Sequence, residues 1–283
     1  MAHFICGDSR EVIPQLPAGS IDTVVTSPPY FGLRDYSGGE REIGREPTLR
    51  HYVARLVDTL DQLREPLKTN GTLWLNLGDR YIGGRLLGVP WRVQFALDER
   101  GWLLKNEVIW SKPSCLPSAA RDRLTVDHET VFLLGHPDSS RIYFDYEAIK
   151  EPAVSLDPTH PSYRPNSARI AAEGRKTYAG KHRSSGRAYA TTRRKRTVWQ
   201  VAPSPLKEAH FAVFPEKLIE PMILAGSSAG GTVLDPFAGA GTTAISALRN
   251  GRNFLGIELN SGYIDIARRR LEKAGFGDAF ISG

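Results

Sequence analysis

The sequence predicts an α/β fold, a mostly parallel sheet with helices on both faces. Three observations carry that expectation. Short apolar runs rich in β-branched residues alternate with segments of helical periodicity from Phe4 to Lys273. Two of those runs, ending at Val25 and at Leu234, break into turns dense in proline or glycine. At 283 residues the chain is long enough for one large domain carrying an insertion.

Taken in order, Phe4-Ile5-Cys6 reads as a short strand that ends at Gly7-Asp8. Ser9 to Leu16 reads as a short helix that Asp8 can cap. After a turn at Pro17 to Ser20, Ile21 to Val25 is a buried strand. Thr26-Ser27-Pro28-Pro29-Tyr30 follows it. Two consecutive prolines cannot continue a sheet, so the chain leaves it as a stiff extended turn. Neither proline donates an N–H, so the Ser27 and Pro28 carbonyls are expected to stay free as acceptors beside the Tyr30 ring. Fixed acceptors next to an aromatic face suit a planar ligand with an amino group, such as a nucleobase. Alone, such a stretch is more often just a rigid loop. The preceding strand and a second motif shift that balance.

Phe31 to Tyr36 extends the loop, and Ser37 to Pro47 is glycine-rich and charged. Val53, Leu56, Val57, Leu60, Leu63 and Leu67 fall at helical spacing. They predict an amphipathic helix from Leu49 to Leu67, stopped by Asn70-Gly71. Thr72 to Leu77 is a buried strand with Gly78-Asp79 at its tip. Val89 to Glu99 is a helix stopped by Gly101, and Asn106 to Trp110 and Thr130 to Leu134 are strands. Near the far end, Pro215 opens a helix whose apolar face is Leu218, Ile219, Met222 and Ile223, with a kink expected at Pro221.

The second motif runs from Thr232 to Thr243. It reads as a strand, the turn Asp235-Pro236-Phe237-Ala238-Gly239-Ala240-Gly241, and a helix from about Thr242 to Leu248. Glycines let the backbone approach a ligand closely, and the helix start adds unpaired N–H groups. The next strand, Phe254 to Ile257, ends in Glu258, 19 residues after Gly239. An acid at that spacing and at a strand tip accepts hydrogen bonds from ribose hydroxyls in nucleoside-binding folds. A last helix spans about Tyr263 to Lys273, ended by Gly275.

The net charge of +6 is unevenly spread. Tyr163 to Arg196 holds eleven Lys/Arg and one acid, leaving 26 bases against 30 acids elsewhere. A mildly acidic body with one strongly basic segment points to a polyanionic partner. From Glu151 to Arg196, Pro, Ser, Gly and Arg dominate, and Tyr163, Tyr178 and Tyr189 are interleaved with the bases. The stretch reads either as an irregular basic insertion or as a recognition region that orders on nucleic acid. The expected division is therefore 1–150, 151–197 and 198–283, the first and last forming one domain. Two cysteines, Cys6 and Cys115, build no disulfide framework and suit a reducing cytosol. No Cys/His cluster has metal spacing, no apolar run approaches the roughly 20 residues of a membrane span, and the N-terminus lacks the pattern of a signal peptide. A cytoplasmic protein with neither metal nor membrane partner is expected.

The two motifs, in this order, resemble the amino-group DNA methyltransferases in their β arrangement. These enzymes move a methyl group from S-adenosylmethionine to N4 of cytosine or N6 of adenine. The resemblance covers roughly Phe4 to Leu134 and Val198 to Lys273. It implies a Rossmann-like methyltransferase fold in circularly permuted order, with a basic target-recognition insertion. It implies that Ser27, Pro28, Pro29 and Tyr30 form the catalytic loop. Asp235, Pro236, Phe237, Gly239, Gly241, Thr242 and Thr243 would form the cofactor loop, with Thr26, Glu258 and Leu259 beside it. Asp8 matches a residue that meets the cofactor's adenine amino group, and Phe214 and Pro215 lie in the segment that lines its methionine end. For Asp8 the helix-capping reading stands equally. DNA contacts fall to Arg34, Lys112, Arg164, Arg175, Lys181, Arg183, Arg187, Arg193, Arg194 and Arg196; Lys112 also reads as a solvated side chain.

Family members with Ser-Pro-Pro-Tyr mostly modify cytosine N4, and those with Asp or Asn in place of Ser27 mostly modify adenine N6. The resemblance thus implies methylation of N4 of a cytosine flipped from duplex DNA, with N6 of adenine as the alternative. An RNA or protein amide methyltransferase, or a non-catalytic DNA-binding module, is a more distant rival. A dinucleotide oxidoreductase would share the glycine turn and Glu258 but leave Ser27 to Tyr30 and the basic segment unexplained. Cys6 and Cys115 lack the Pro-Cys context of carbon-5 methylation. Double-stranded DNA is the expected partner; a homodimer and a cognate restriction endonuclease stay open.

Overall fold

The computed structural model describes residues 1–33, 39–115, 118–153, 192–206, 211–213 and 215–283. The chain divides into two compact units, Met1–Asp145 with Thr197–Gly283, and Tyr146–Arg196.

The first unit is built on a nine-stranded sheet. Its strands are β1 (Ala2–Cys6), β2 (Ile21–Thr26), β3 (Leu67–Leu77), β4 (Leu103–Ser111), β5 (His128–Gly135), β6 (Val198–Gln200), β7 (Thr232–Asp235), β8 (Asn253–Glu258) and β9 (Phe280–Ser282). Their order across the sheet is β6-β4-β5-β3-β2-β7-β8-β1-β9. All neighbours run parallel except around β5, which is antiparallel to both β3 and β4. The C-terminal strands β7 and β8 precede the N-terminal β1 across the sheet, with β8 pairing β1, which is the permuted order the family resemblance implies.

Helices cover both faces. Among the described residues the helices are α1 (Ser9–Val12), α2 (Leu49–Asp61), α3 (Val89–Glu99), α4 (Glu216–Gly226), α5 (Thr242–Arg249) and α6 (Ser261–Lys273). On one face, Tyr52, Leu56 and Leu60 of α2 and Val89, Val93 and Leu97 of α3 pack with Val24, Leu73, Leu75 and Leu77 of the sheet. The four-residue spacing along both helices places those side chains in a single stripe. On the opposite face, α4 ends close against the sheet. A Cβ at Gly226 would lie 2.5 Å from Thr23 Oγ1 and 2.7 Å from Thr72 Oγ1, so only glycine fits there.

Two expectations are corrected. The helix predicted over Leu49 to Leu67 ends at Asp61 and is followed by a 3-10 turn, Gln62–Arg64. Pro66 brings no N–H to a helix, and Leu67 already belongs to β3. Asn70-Gly71 therefore lies inside the strand rather than stopping the helix. Gly101, by contrast, does end α3: its φ is +90°, its N–H reaches Asp98 O at 2.8 Å, and Trp102 N reaches Leu97 O at 3.1 Å. Thr48 caps α2 through His51 N.

The site is positioned by one pairing. Strands β2 and β7 are parallel neighbours, with Thr23 opposite Val233 and Val24 opposite Leu234. From β2 the sheet continues to β3 on one side, and from β7 to β8 on the other. A reversal of this kind opens a crevice at the C-terminal strand ends, where ligands bind in open α/β sheets. The turns Thr26–Tyr30 and Asp235–Gly241 both emerge there.

The second unit pairs Glu151–Pro152 with Thr192–Arg193 in an antiparallel ribbon. Glu151 accepts from Arg193 Nε at 2.8 Å and from Arg196 Nε at 3.2 Å. The Arg194 guanidinium lies 4.5 Å from the Tyr146 ring centre.

Candidate active site

The crevice holds a cavity of about 280 Å³ lined by both turns. One turn contributes Ser27, Pro28, Pro29 and Tyr30, and the other Pro236 to Ala240 and Thr242. Glu258 and Leu259, at the tip of β8, also line it, as do Asp8 and Lys112.

Below the cavity the two turns are pinned together. Asp235, 1% exposed, accepts from Thr26 Oγ1 and from Thr243 Oγ1, both at 2.7 Å, and from Phe237 N at 3.1 Å. Thr26, Asp235 and Thr243 are thus a buried strut rather than part of the lining. Burial pushes the Asp235 carboxyl up to about 6, against the pull of its three donors. Gly241 belongs with them as a packing residue. It opens α5 at φ +74°, and a Cβ there would come 2.9 Å from Ala267 Cβ. Pro215 is the residue preceding α4 and lies outside the lining.

The Pro-Pro turn is fastened from several sides. Tyr52 Oη donates to Pro29 O at 2.9 Å, and Arg80 Nη1 donates to Phe31 O at 2.9 Å. The Tyr30 ring lies close against Gly78 just past β3, where a Cβ would come 2.6 Å from Tyr30 Cε2. Among the described residues no donor meets the Pro28 carbonyl. At its inner end Tyr30 Oη donates to Glu129 Oε2 at 2.7 Å and lies 3.1 Å from Ser27 Oγ. Asn76 Nδ2 donates to Tyr30 Oη at 2.7 Å and to Glu129 Oε2 at 2.8 Å. Lys112 closes the group through an ion pair with Glu129 Oε1, its Nζ 4.5 Å above the Trp110 ring. Burial first, and then the charge of Glu129, hold the Tyr30 phenol well above its usual range, so it stays protonated.

On the glycine-turn side, Glu258 accepts from Gly239 N at 2.8 Å and from Asn260 N at 2.9 Å. Burial pushes its carboxyl up to about 7, helped by the charge of Asp235. Asp8 meets the capping reading made of it. It caps α1 by accepting from Arg10 N at 3.0 Å, and it lines the cavity. Burial would raise its pKa, but the Arg10 hydrogen bonds and charge hold it below the usual carboxylate range.

Sequence reasoning did not single out Asn76 or Glu129. Asn76 is the one polar residue in the run Leu73 to Leu77, a signal that was available. Glu129 has no comparable local signal. Of the expected DNA contacts, Lys112 faces Glu129 in the cavity and Arg193, Arg194 and Arg196 make the second unit's internal contacts. Arg34, Arg164, Arg175, Lys181, Arg183 and Arg187 lie outside the described residues, as does Phe214. Among the described residues no cluster of His, Cys, Asp or Glu could hold a metal ion, and no helix is long and apolar enough to cross a membrane.

These residues fit S-adenosylmethionine. Glu258 and Asp8 offer carboxylates to hydroxyl and amino donors, Phe237 offers an aromatic ring, and among the described residues Phe237 O, at 4.0 Å, is the nearest atom to a Cβ placed at Gly239. Sheet order and cleft define the class: an S-adenosylmethionine-dependent methyltransferase of the α/β type. The family model described as DNA methylase, N6_N4_Mtase, matches residues 21–269. Type II methyltransferase M.SmaI of Serratia marcescens is 38% identical over 297 residues, covering 95% of this chain and 90% of the relative. M.Cfr9I of Citrobacter freundii is 36% identical, covering 94% and 86%. Among solved structures, the PvuII DNA methyltransferase, described as cytosine-N4-specific, matches with a TM-score of 0.68 at 22% identity over 97% of this chain and 90% of its own. A putative DNA modification methylase of Thermus thermophilus, solved with S-adenosyl-L-methionine, matches with a TM-score of 0.66 at 24% identity over the whole of both chains. The chain belongs to the DNA methylase family and is a DNA methyltransferase that uses S-adenosyl-L-methionine.

Proposed function

We propose that the target is the exocyclic N4 of a cytosine flipped out of duplex DNA. The observation that carries this reading is the Ser27 hydroxyl beside an unengaged Pro28 carbonyl, in the same cavity as Gly239 and Glu258. An exocyclic amino nitrogen is a poor nucleophile because its lone pair is delocalised into the ring. Accepting its hydrogens at Ser27 Oγ and Pro28 O draws them out of plane and localises the pair. Fixed acceptors also stabilise the positive charge that develops on that nitrogen. S-adenosylmethionine supplies the methyl group on a positively charged sulfur. In this reading Glu258 holds the ribose end, Asp8 the adenine amino group, and Pro236, Phe237, Gly239, Thr242 and Leu259 the adenosine body. Tyr30 offers its ring face to the flipped base, a position only an extruded base can reach. The arginines of the second unit take the phosphates and the major groove. Ser rather than Asp at position 27 favours cytosine, since a neutral hydroxyl sets no negative charge against the acceptor atoms of the cytosine edge.

The test is labelled S-adenosylmethionine with duplex DNA, followed by nucleoside mass spectrometry. The expected product is N4-methylcytosine. N6-methyladenine would overturn the base assignment, and unlabelled DNA would overturn the catalytic role of the loop.

A further inference from the structure

Glu129 holds no place in the mechanism above, yet it terminates the hydrogen-bond chain that begins at Ser27. The directions in that chain are set by what each group can do. An ionised carboxylate only accepts, and Lys112 occupies its Oε1. Its Oε2 is the acceptor for Tyr30 Oη at 2.7 Å. The phenol has one proton, and this bond uses it. The contact between Ser27 Oγ and Tyr30 Oη, at 3.1 Å, must then run from serine to tyrosine. Asn76 supports the same polarity. Its amide nitrogen, 2.8 Å from the carboxylate, also donates to the Tyr30 oxygen at 2.7 Å and approaches Ser27 Oγ at 3.3 Å. Turning that amide over would set its oxygen against the Glu129 carboxylate. With the serine proton given to Tyr30, Ser27 Oγ faces the cavity with acceptor capacity alone.

The geometry points to Glu129 as the positioning residue that fixes Ser27 as an acceptor, so that the cavity selects a base edge carrying an amino group over one carrying a carbonyl. This rests on the proposed role of Ser27 at the target base. It goes further in assigning the discrimination to a side chain on β5 that need not touch the base. A Gln at position 129 would turn its oxygen to the Lys112 ammonium and its N–H₂ to the Tyr30 oxygen. The Tyr30 proton would then swing to Ser27, and Ser27 would present a donor to the cavity.

The experiment uses the full chain and binding rather than turnover. Once the modified position has been located by sequencing, duplexes are made with the target base opposite an abasic site, so that no pairing has to be broken. Two matched sets are compared with S-adenosylhomocysteine present: cytosine against uracil, and adenine against hypoxanthine. Each pair differs in amino against oxo at the reacting position. For the unaltered protein the amino base of one set is expected to bind about tenfold more tightly, the discrimination one buried hydrogen bond supplies. In Glu129→Gln the preference should fall to near parity while S-adenosylhomocysteine still binds. Tyr30→Phe, which breaks the same chain at its middle, should do likewise, and it decides the matter if Glu129→Gln does not fold. A preference that survives in either folded variant overturns the inference, as does its absence from the unaltered protein in both sets. A preference confined to adenine over hypoxanthine, lost in the variants, supports the role of Glu129 and instead moves the target base from cytosine to adenine.

Discussion

Ser27→Ala is expected to lower the rate of methyl transfer by about 10²-fold or more, the size of effect seen when one preorganised polar contact to a developing charge is removed. Binding of S-adenosylhomocysteine should stay nearly unchanged. The two halves of that expectation come from different sides of the cavity. Ser27 sits at the end of β2 in contact with Tyr30 and Asn76. The cofactor turn is held by Asp235 and Glu258, neither of which bonds to Ser27. Alanine removes one hydroxyl and leaves the two prolines to keep the turn's path. Single-turnover rates and calorimetry separate the effects. A variant that loses cofactor affinity as strongly as rate would show that Ser27 serves the cofactor side, and the assignment to the target base would fail.

Asp235→Ala carries the largest expected cost in stability. It leaves the hydroxyls of Thr26 and Thr243 and the N–H of Phe237 without an acceptor in the strut between the turns. Each unsatisfied buried donor costs about 1–3 kcal/mol, so a loss of about 3 kcal/mol or more is expected. Asp235→Asn keeps the shape and an oxygen, and should cost much less. The asparagine also tests the pH dependence. Asp235 is raised from 3.8 to about 6, and Glu258 from 4.5 to about 7. Asp235 therefore holds a proton in the folded chain between pH 3.8 and about 6, and Glu258 between 4.5 and about 7, where the unfolded chain has released them. Stability falls with rising pH wherever the folded state holds more protons. The unliganded protein should thus be most stable at the acid side of these windows and lose stability up to about pH 7, by as much as about 1.4 kcal/mol per pH unit for each group. Urea unfolding across this range should show the decline in the unaltered protein and a shallower one in Asp235→Asn. Equal slopes would mean that burial does not raise Asp235 over its three donors.

Much of the site was legible because its signals are local. Two prolines after a β-branched strand dictate a turn wherever the strand lies, and a glycine turn with an acid at the next strand tip dictates another. Alternation of strands and helices was enough for the mostly parallel sheet; its permuted order came from the family resemblance of the two motifs. What the sequence hid depends on register. Asn76 pairs with Val131 across β3 and β5, and only that antiparallel pairing brings Glu129 beside Asn76. Asp235 reads locally as a cofactor ligand, but the pairing of β2 with β7 turns it toward Thr26 instead. The end of α2 was misread because Leu63 and Leu67 continue the apolar spacing past Asp61. Leu67 is buried by the strand it begins, and the spacing alone cannot tell which element buries it.

The central claim is that the proline turn and the glycine turn serve one transfer across one cleft. A crystal structure with S-adenosylhomocysteine tests it most directly. The account predicts the ribose at Glu258 and the sulfur facing Ser27 and Pro28. A ligand bound outside this cleft, or within it with its sulfur turned away from the proline turn, would contradict it.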